Sequence, residues 1–434
     1  MNIGKAAMKK RMVRGLLATV VLAWAFVAGA AEISVSSFGT VGYALSDKAY
    51  KYQRFVDDTG TFKRDSILGA QLDARFGNGF GLTLQGKFAP SLKNDKDEVA
   101  SVSWAFLSWR PSNDWLIRLG RVRVPIYLYS ENMNVGTTFD FAQLPVEVYS
   151  SSQTTDGDGL DVSKTWSVGD DEVTLLGYVV SAKTHYRFFL RDDLSMLSLS
   201  AGANFIPVKM EMHGMVLTWL RAEDMYRFGV HAGDVNITNS FSMPVNYPYV
   251  SLMPGVGYYQ TNNALPGPGV PETKKVETVV YAMGADMAVG NGFRLIGEYV
   301  RRTVPNIDTG PDSTAGYVAL LKPIGAWTPY VSVARLKSVP RVRNIYNRVN
   351  DNASASGSPL LNASQRAGAD IVMAYDQTTW AVGTSYRLSP TSKLKLEWAR
   401  TRVGEMTYII DKPPGGESGG KAFNVFSASY NLTF

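Results

Sequence analysis

The chain has 434 residues, 45% of them hydrophobic, with 9 Trp, 22 Tyr and 19 Phe, a formal charge of +6 and no cysteine. The missing cysteines exclude a disulfide framework and thiolate metal sites. The charge is no argument for nucleic acid: the five basic residues Lys5, Lys9, Lys10, Arg11 and Arg14 precede Glu32, leaving thirty-nine basic against thirty-eight acidic residues in the rest.

Those basic residues form the n-region of a secretory signal. An apolar run from Leu16 to Ala28 follows, then the small residues Ala28, Gly29 and Ala30. The run is short of the roughly 20 residues a spanning helix needs. Residues 1–31 are therefore expected to be a cleaved signal peptide, and 32–434 a single exported domain. No later stretch of about 18 apolar residues offers a transmembrane helix.

From Ile33 onward the pattern has period two. Leu68, Ala70, Leu72, Ala74 and Phe76 share one face, and Gly69, Gln71, Asp73 and Arg75 the other. After Gly77-Asn78-Gly79, Phe80, Leu82, Leu84 and Phe88 oppose Thr83, Gln85 and Lys87. This is a tight hairpin. It fits a soluble sandwich or a membrane barrel whose apolar face meets lipid and whose polar face meets a wet lumen.

The connections separate the two. Tight turns fall at 77–79, 111–114, 169–171, 221–224, 290–292, 323–326 and 389–392. Long polar stretches fall at 45–63, 90–98, 125–158, 184–208, 233–274, 302–313, 338–376 and 404–421. Short and long alternate throughout, as in barrels with short periplasmic turns and long external loops. Fifteen connections imply an all-β transmembrane antiparallel barrel of about sixteen strands. The stretch 184–208, where Tyr186–Leu190 and Leu197–Leu199 could add strand, leaves eighteen as the alternative.

Later strands divide alike. Phe293, Leu295 and Tyr299 oppose Arg294 and Glu298; Leu394, Leu396 and Trp398 oppose Lys393, Lys395 and Glu397. Charges on so many faces suit a watery lumen better than a dry core. Trp104, Trp109, Trp115, Trp166, Trp219, Trp327, Trp380, Trp398 and Tyr299 near strand ends fit interfacial girdles. The final strand carries Phe426, Ala428, Tyr430, Leu432 and Phe434 on one face. It resembles the C-terminal signal of outer-membrane assembly, with Tyr430, Leu432 and Phe434 as its anchors, read by strand addition to the barrel-assembly machinery.

Taken together, the chain resembles the sixteen-stranded Gram-negative porins. Gly120-Arg121-Val122-Arg123-Val124-Pro125 precedes a long segment, 125–158, which by this resemblance folds into the lumen as a constricting third loop. Its acids Glu131, Asp140 and Glu147 are expected to face Arg75, Lys87, Arg118, Arg121 and Arg123 of the wall, setting a transverse field across the pore. Strict alternation allows only some of Arg118, Arg121 and Arg123 to point inward. The resemblance implies an outer-membrane channel for passive diffusion of small hydrophilic solutes and ions, a homotrimer, and contact with outer-membrane lipid and lipopolysaccharide. A substrate-selective channel with a ligand site in the loops is the alternative. Stacking by Tyr247, Tyr249, Tyr258 and Tyr259 competes there with simple loop packing. No cofactor, metal or nucleic acid is expected. Asp156-Gly157-Asp158-Gly159 reads as a turn rather than a calcium loop. With only His185, His213 and His231 and no convincing nucleophile arrangement, an enzyme is not expected.

Overall fold

The computed structural model describes residues 32–150, 156–194, 199–352, 358–412 and 416–434. The expected signal peptide, 1–31, and Leu197 lie outside them. Sixteen antiparallel strands close into one barrel: β1 (Glu32–Ser46), β2 (Ile67–Arg75), β3 (Phe80–Pro90), β4 (Glu98–Trp109), β5 (Trp115–Arg123), β6 (Asp156–Val168), β7 (Asp171–Leu190), β8 (Gly202–Arg221) and β9 (Asp224–Ile237) form the first part. Four short strands lie in the loop that follows, β10 (Met243–Pro244), β11 (Tyr249–Met253), β12 (Val256–Tyr259) and β13 (Glu272–Thr273). The wall resumes with β14 (Lys275–Ala288), β15 (Arg294–Thr303), β16 (Ser313–Leu321), β17 (Trp327–Ser338), β18 (Tyr375–Ser389), β19 (Ser392–Thr407) and β20 (Ala422–Thr433). The ring closes where β1 pairs with β20, from Phe38 opposite Thr433 to Ser46 opposite Val425. Phe434 extends that ladder, its carbonyl accepting from the Ser37 N–H at 2.6 Å. Closure gives every wall strand a neighbour on both sides.

Each wall strand neighbours the next wall strand along the chain, and short turns alternate with long loops around the ring, as the spacing predicts. The eighteen-strand alternative falls. Tyr186–Leu190 prolongs β7, which pairs with β8 without interruption from Glu172–Leu220 to Leu190–Gly202. Among the described residues no helix is long and apolar enough to cross a membrane.

The outer wall is apolar, with Leu68, Leu119, Val179, Met215, Val230 and Leu396 among its exposed residues. Exposed Trp109, Trp115, Trp166 and Trp327 cluster towards the turn end, and Phe80 stacks on Trp109 at 5.8 Å. Trp104 breaks the girdle expectation. It pairs with Gln85, whose side chain donates to Gln71, and packs against the interior cluster instead of lipid.

Towards the loop end of β7–β9 and β14 the two faces exchange character. Outward positions form two rows across paired strands. One is Ser181–Glu211–Asp234–Glu277; the next, one pleat further from the turns, is Lys183–Lys209–Asn236–Lys275. Lys209 meets Glu211 at 2.5 Å and Lys275 meets Asp234 at 3.0 Å. Behind these rows the inward face is apolar, with Ile206, Val208 and Met212 of β8, Val235 of β9 and Val276 of β14. Below them the usual order returns: Met215 and Leu217 face out and Val216 lies buried within.

Among the described residues there are three α-helices: α1 (Val146–Tyr149), α2 (Pro340–Asp351) and α3 (Pro359–Ile371). The longer two start on a proline, whose missing N–H costs nothing in the first turn. They pack together over the loop-end mouth through Val342, Tyr346, Val349 and Ala369, joined by Tyr247 and Met406.

Candidate functional site: the lumen and its third loop

The third loop is directed inward from its first residues. Gly120 has φ +134, a conformation L side chains avoid, and a Cβ there would lie 2.3 Å from the Ala105 carbonyl oxygen. Just beyond it β5 leaves β4, their pairing ending at Ala105–Arg121. The loop then carries Ile126, Tyr127, Leu128, Phe141, Leu144 and Val148 into the interior cluster. It is a packed crossing of the lumen, not a suspended eyelet.

Its far side is anchored on the opposite wall. Glu298 of β15 accepts from the Leu128 N–H at 2.8 Å, from Tyr317 at 3.0 Å and from Tyr149. The Tyr330 hydroxyl accepts from the Ala142 N–H at 2.9 Å and donates to Glu397 at 2.7 Å. Lys395 donates to the Phe141 carbonyl at 2.9 Å. At the tip, Gly136 lies so close to the Thr40–Asn431 pair that a Cβ would sit 1.9 Å from Asn431 Oδ1.

The residues expected to make the constriction separate into distinct places. Arg118 points inward and holds Asp161 at 2.8 Å and Glu131 of the loop at 3.3 Å. Arg123 is 2% exposed, bound to Asp156 at 2.6 Å and near the Trp104 ring, because the chain has already turned into the barrel there. Lys87 lies 3.8 Å from Asp156. Arg121 faces outward, paired with Asp158 at 2.7 Å on the outer wall. Arg75 stands at the turn-end rim, its side chain 77% exposed, 3.6 Å from Glu32. Asp156–Gly159 is strand, not the expected turn: it pairs along β5 from Arg123 to Gly120.

Two loop acids do not face these cations. Asp140 meets Lys393 at 2.8 Å and Ser385 at 2.6 Å, on β19 and β18. Burial alone would raise its carboxyl, but Lys393 and the hydrogen bonds outweigh this and hold it below the usual range. Glu147, 1% exposed, accepts from Gln377 at 2.7 Å and from Thr379, while its Oε2 finds no partner among the described residues. Burial pushes its carboxyl up. The field expected across a narrow eyelet therefore reduces to the Arg118–Glu131–Asp161 group on one side and Asp140–Lys393 on the other.

Sequence reasoning missed the part of the lumen beyond the loop. A cavity of about 610 Å³ lies between loop three and the mouth, lined by the inward apolar faces of β7–β9 and β14. The guanidiniums at its border have their own acceptors: Arg54 with Asp95 at 2.8 Å, Arg64 with Asp65 at 2.6 Å and Arg187 with Asp411 at 2.6 Å. Above it Arg191, Asp370 and Lys412 form a buried triad, with Asp370 3.0 Å from Arg191 and 2.7 Å from Lys412. This ties α3 to the β7–β8 and β19–β20 loops. The loop tyrosines mostly pack: Tyr247 donates to the Gly368 carbonyl at 3.0 Å, Tyr258 donates to Pro266, and Tyr249 meets Tyr259 at 5.1 Å. Of the histidines, His231 is buried against the Tyr178 hydroxyl at 2.8 Å, whereas His213 faces outward, on the border of the charged rows.

A closed barrel of sixteen strands, apolar outside and crossed by its third loop, is the architecture of outer-membrane porins. No family model and no curated protein matches the sequence. Among solved structures, Pseudomonas putida OprB is similar with a TM-score of 0.51 at 9% identity, over 93% of this chain and 94% of that one. An anion-selective porin from Comamonas acidovorans aligns with a TM-score of 0.49 at 10% identity, covering 93% of this chain and 100% of the other. OmpT, an outer membrane protein of Vibrio cholerae, gives 0.47 at 12% identity over 94% and 99%. At 9% identity the likeness to OprB is one of fold, and that fold is an outer-membrane barrel.

Proposed function

We propose that the chain forms a channel through which small solutes diffuse across the outer membrane. The observation that carries this is the third loop, folded into a closed barrel and narrowing it, with charged groups on both sides. Arg118, Glu131 and Asp161 flank one side of the path, and Asp140 with Lys393 the other. A homotrimer, contacts with lipopolysaccharide and delivery by the barrel-assembly machinery complete this reading by resemblance. Tyr430 and Leu432 of β20, with Phe434 just after it, would serve the last of these.

Passage is selective rather than general, with the loops taking part. Supporting this is the α2–α3 pair packed over the mouth and fastened by the Arg191–Asp370–Lys412 triad. Planar-bilayer recording of purified protein under a salt gradient tests the reading. Discrete conductance steps with a non-zero reversal potential are expected, and a protein that inserts but never conducts overturns it.

A further inference from the structure

We propose that the cavity beyond the third loop is a binding site for a neutral, largely apolar organic solute, aromatic or branched, with one or two hydrogen-bonding groups. This deepens the channel reading and rests on it for the route by which the solute leaves.

The first support is the exchange of faces. Along β8 the inward residues Ile206, Val208, Met210 and Met212 alternate with Lys209, Glu211 and His213 outside. Polar side chains are thus available at every second position, yet the apolar ones line the cavity. A conduit for water and ions gains nothing from that; a pocket that desolvates an apolar molecule does. The volume, about 610 Å³, falls within the roughly 300–1,000 Å³ of small-molecule sites.

The second support is independent. Thr184 of β7 and Thr278 of β14 line this cavity, and their buried hydroxyls have no hydrogen-bond partner among the described residues. Thr184 is 7% exposed. A buried hydroxyl left unmatched is costly, so such groups mark where another molecule completes the bonding. They sit on either side of the apolar panel of β8 and β9, a spacing that suits polar groups on a rigid apolar frame.

The ligand's charge follows from the border. Arg54, Arg64 and Arg187 each lie within 2.8 Å of an aspartate, and Arg302 donates to the Pro311 carbonyl at 2.7 Å. With three of these four cations paired to carboxylates and donors of the fourth engaged by the Pro311 carbonyl and the Ser313 hydroxyl, an anion would gain little for its lost hydration. Met210, Met212, Met243 and Met373 give the walls the adaptable surface that thioethers provide.

The test uses full-length protein in planar bilayers with 2-naphthol added on the loop side. Glucose and 2-naphthoate serve as polar and anionic controls. Concentration-dependent current block by 2-naphthol, at least tenfold weaker for glucose and for 2-naphthoate, is expected. Met210→Gln should raise the half-blocking concentration about tenfold and Thr278→Val a few-fold. Val280→Thr, nearly isosteric, serves if Met210→Gln does not yield a heat-modifiable folded barrel. Equilibrium dialysis of 2-naphthol against nanodisc-embedded protein gives a readout that needs no current. Conducting channels without block, or block indifferent to these variants, overturn the site. Absent channels with saturable, Met210-sensitive dialysis would overturn the pore reading and leave the site standing.

Discussion

The lid over the mouth should depend on one carboxylate. Asp370 accepts from the Arg191 backbone N–H at 2.9 Å, from Arg191 Nε at 3.0 Å and from Lys412 Nζ at 2.7 Å. The Arg191 and Asp370 side chains are fully enclosed and Lys412 nearly so. Asp370→Asn keeps the shape and removes the charge, leaving buried Lys412 without its counter-ion and Arg191 with only the half-exposed Glu417 at 2.8 Å. Breaking a buried pair in this way costs about 3–5 kcal/mol. At about 1.4 kcal/mol per tenfold, the lid-opening equilibrium should rise from about a hundredfold to several thousandfold. The sixteen-stranded wall does not depend on the triad, so the effect should be local. Hydrogen–deuterium exchange read peptide by peptide is the assay: amides of α3 should lose protection by that factor while those of β15–β17 stay unchanged. Replacing the whole triad by Arg191→Met, Asp370→Leu and Lys412→Met should restore most of the protection, since a matched apolar set needs no counter-ion. Unchanged exchange in α3 of Asp370→Asn would refute the reasoning.

Three more outcomes are expected. Glu147→Gln should stabilise the docked third loop by about 1 kcal/mol at neutral pH, since a carboxylate held under-bonded in an apolar site becomes a neutral amide. Burial raises the folded-state pKa of Glu147 above its unfolded value, so docking is strongest below the ordinary carboxylate range and weakens as pH rises through the raised value. Thermal midpoints measured against pH should show that slope in the parent and less of it in Glu147→Gln; equal slopes would count against it. Arg118→Ala should shift the reversal potential towards cations, while Arg121→Ala, facing away from the lumen, should leave conductance and reversal potential as they were. An equal effect of both in bilayer recording would contradict the assigned faces. Gly136→Val should push the loop tip off Asn431, lowering stability by about 1–3 kcal/mol and altering conductance, both measurable on refolded protein.

The ring of strands was legible because turn chemistry is local: Gly77–Gly79 and Gly290–Gly292 announce hairpins whatever surrounds them. The lengths of β7, β8 and β9 were not. Alternation reports that two faces differ, not which one faces the lumen, and along Ile206–Met212 their characters exchange. Strand beyond the apolar belt therefore reads as polar loop. Arg121 and Arg123 show a second limit. Parity puts both on one face, and the local turn that buries Arg123 while leaving Arg121 outside depends on how the third loop packs. Likewise nothing local to Asp140 or Glu147 announces that their partners lie some 230 to 250 residues further along the chain.

The two charged rows on the outer wall bear on how the barrel sits. Ser181 stands ten residues beyond the turn at Asp171. At about 3.3 Å per residue and a strand tilt of about 40°, that is a height of about 25 Å, the thickness of the apolar band of such barrels. Glu211, Asp234 and Glu277 thus mark a waterline, with Lys183, Lys209 and Lys275 one pleat above it. Sinking the barrel by a single pleat would drag three carboxylates into hydrocarbon. Raising it by one would bare the aliphatic belt to water. Along the arc from β7 to β14 the protein carries its own draught mark, and its depth in the membrane is set by sequence rather than by whichever lipids surround it.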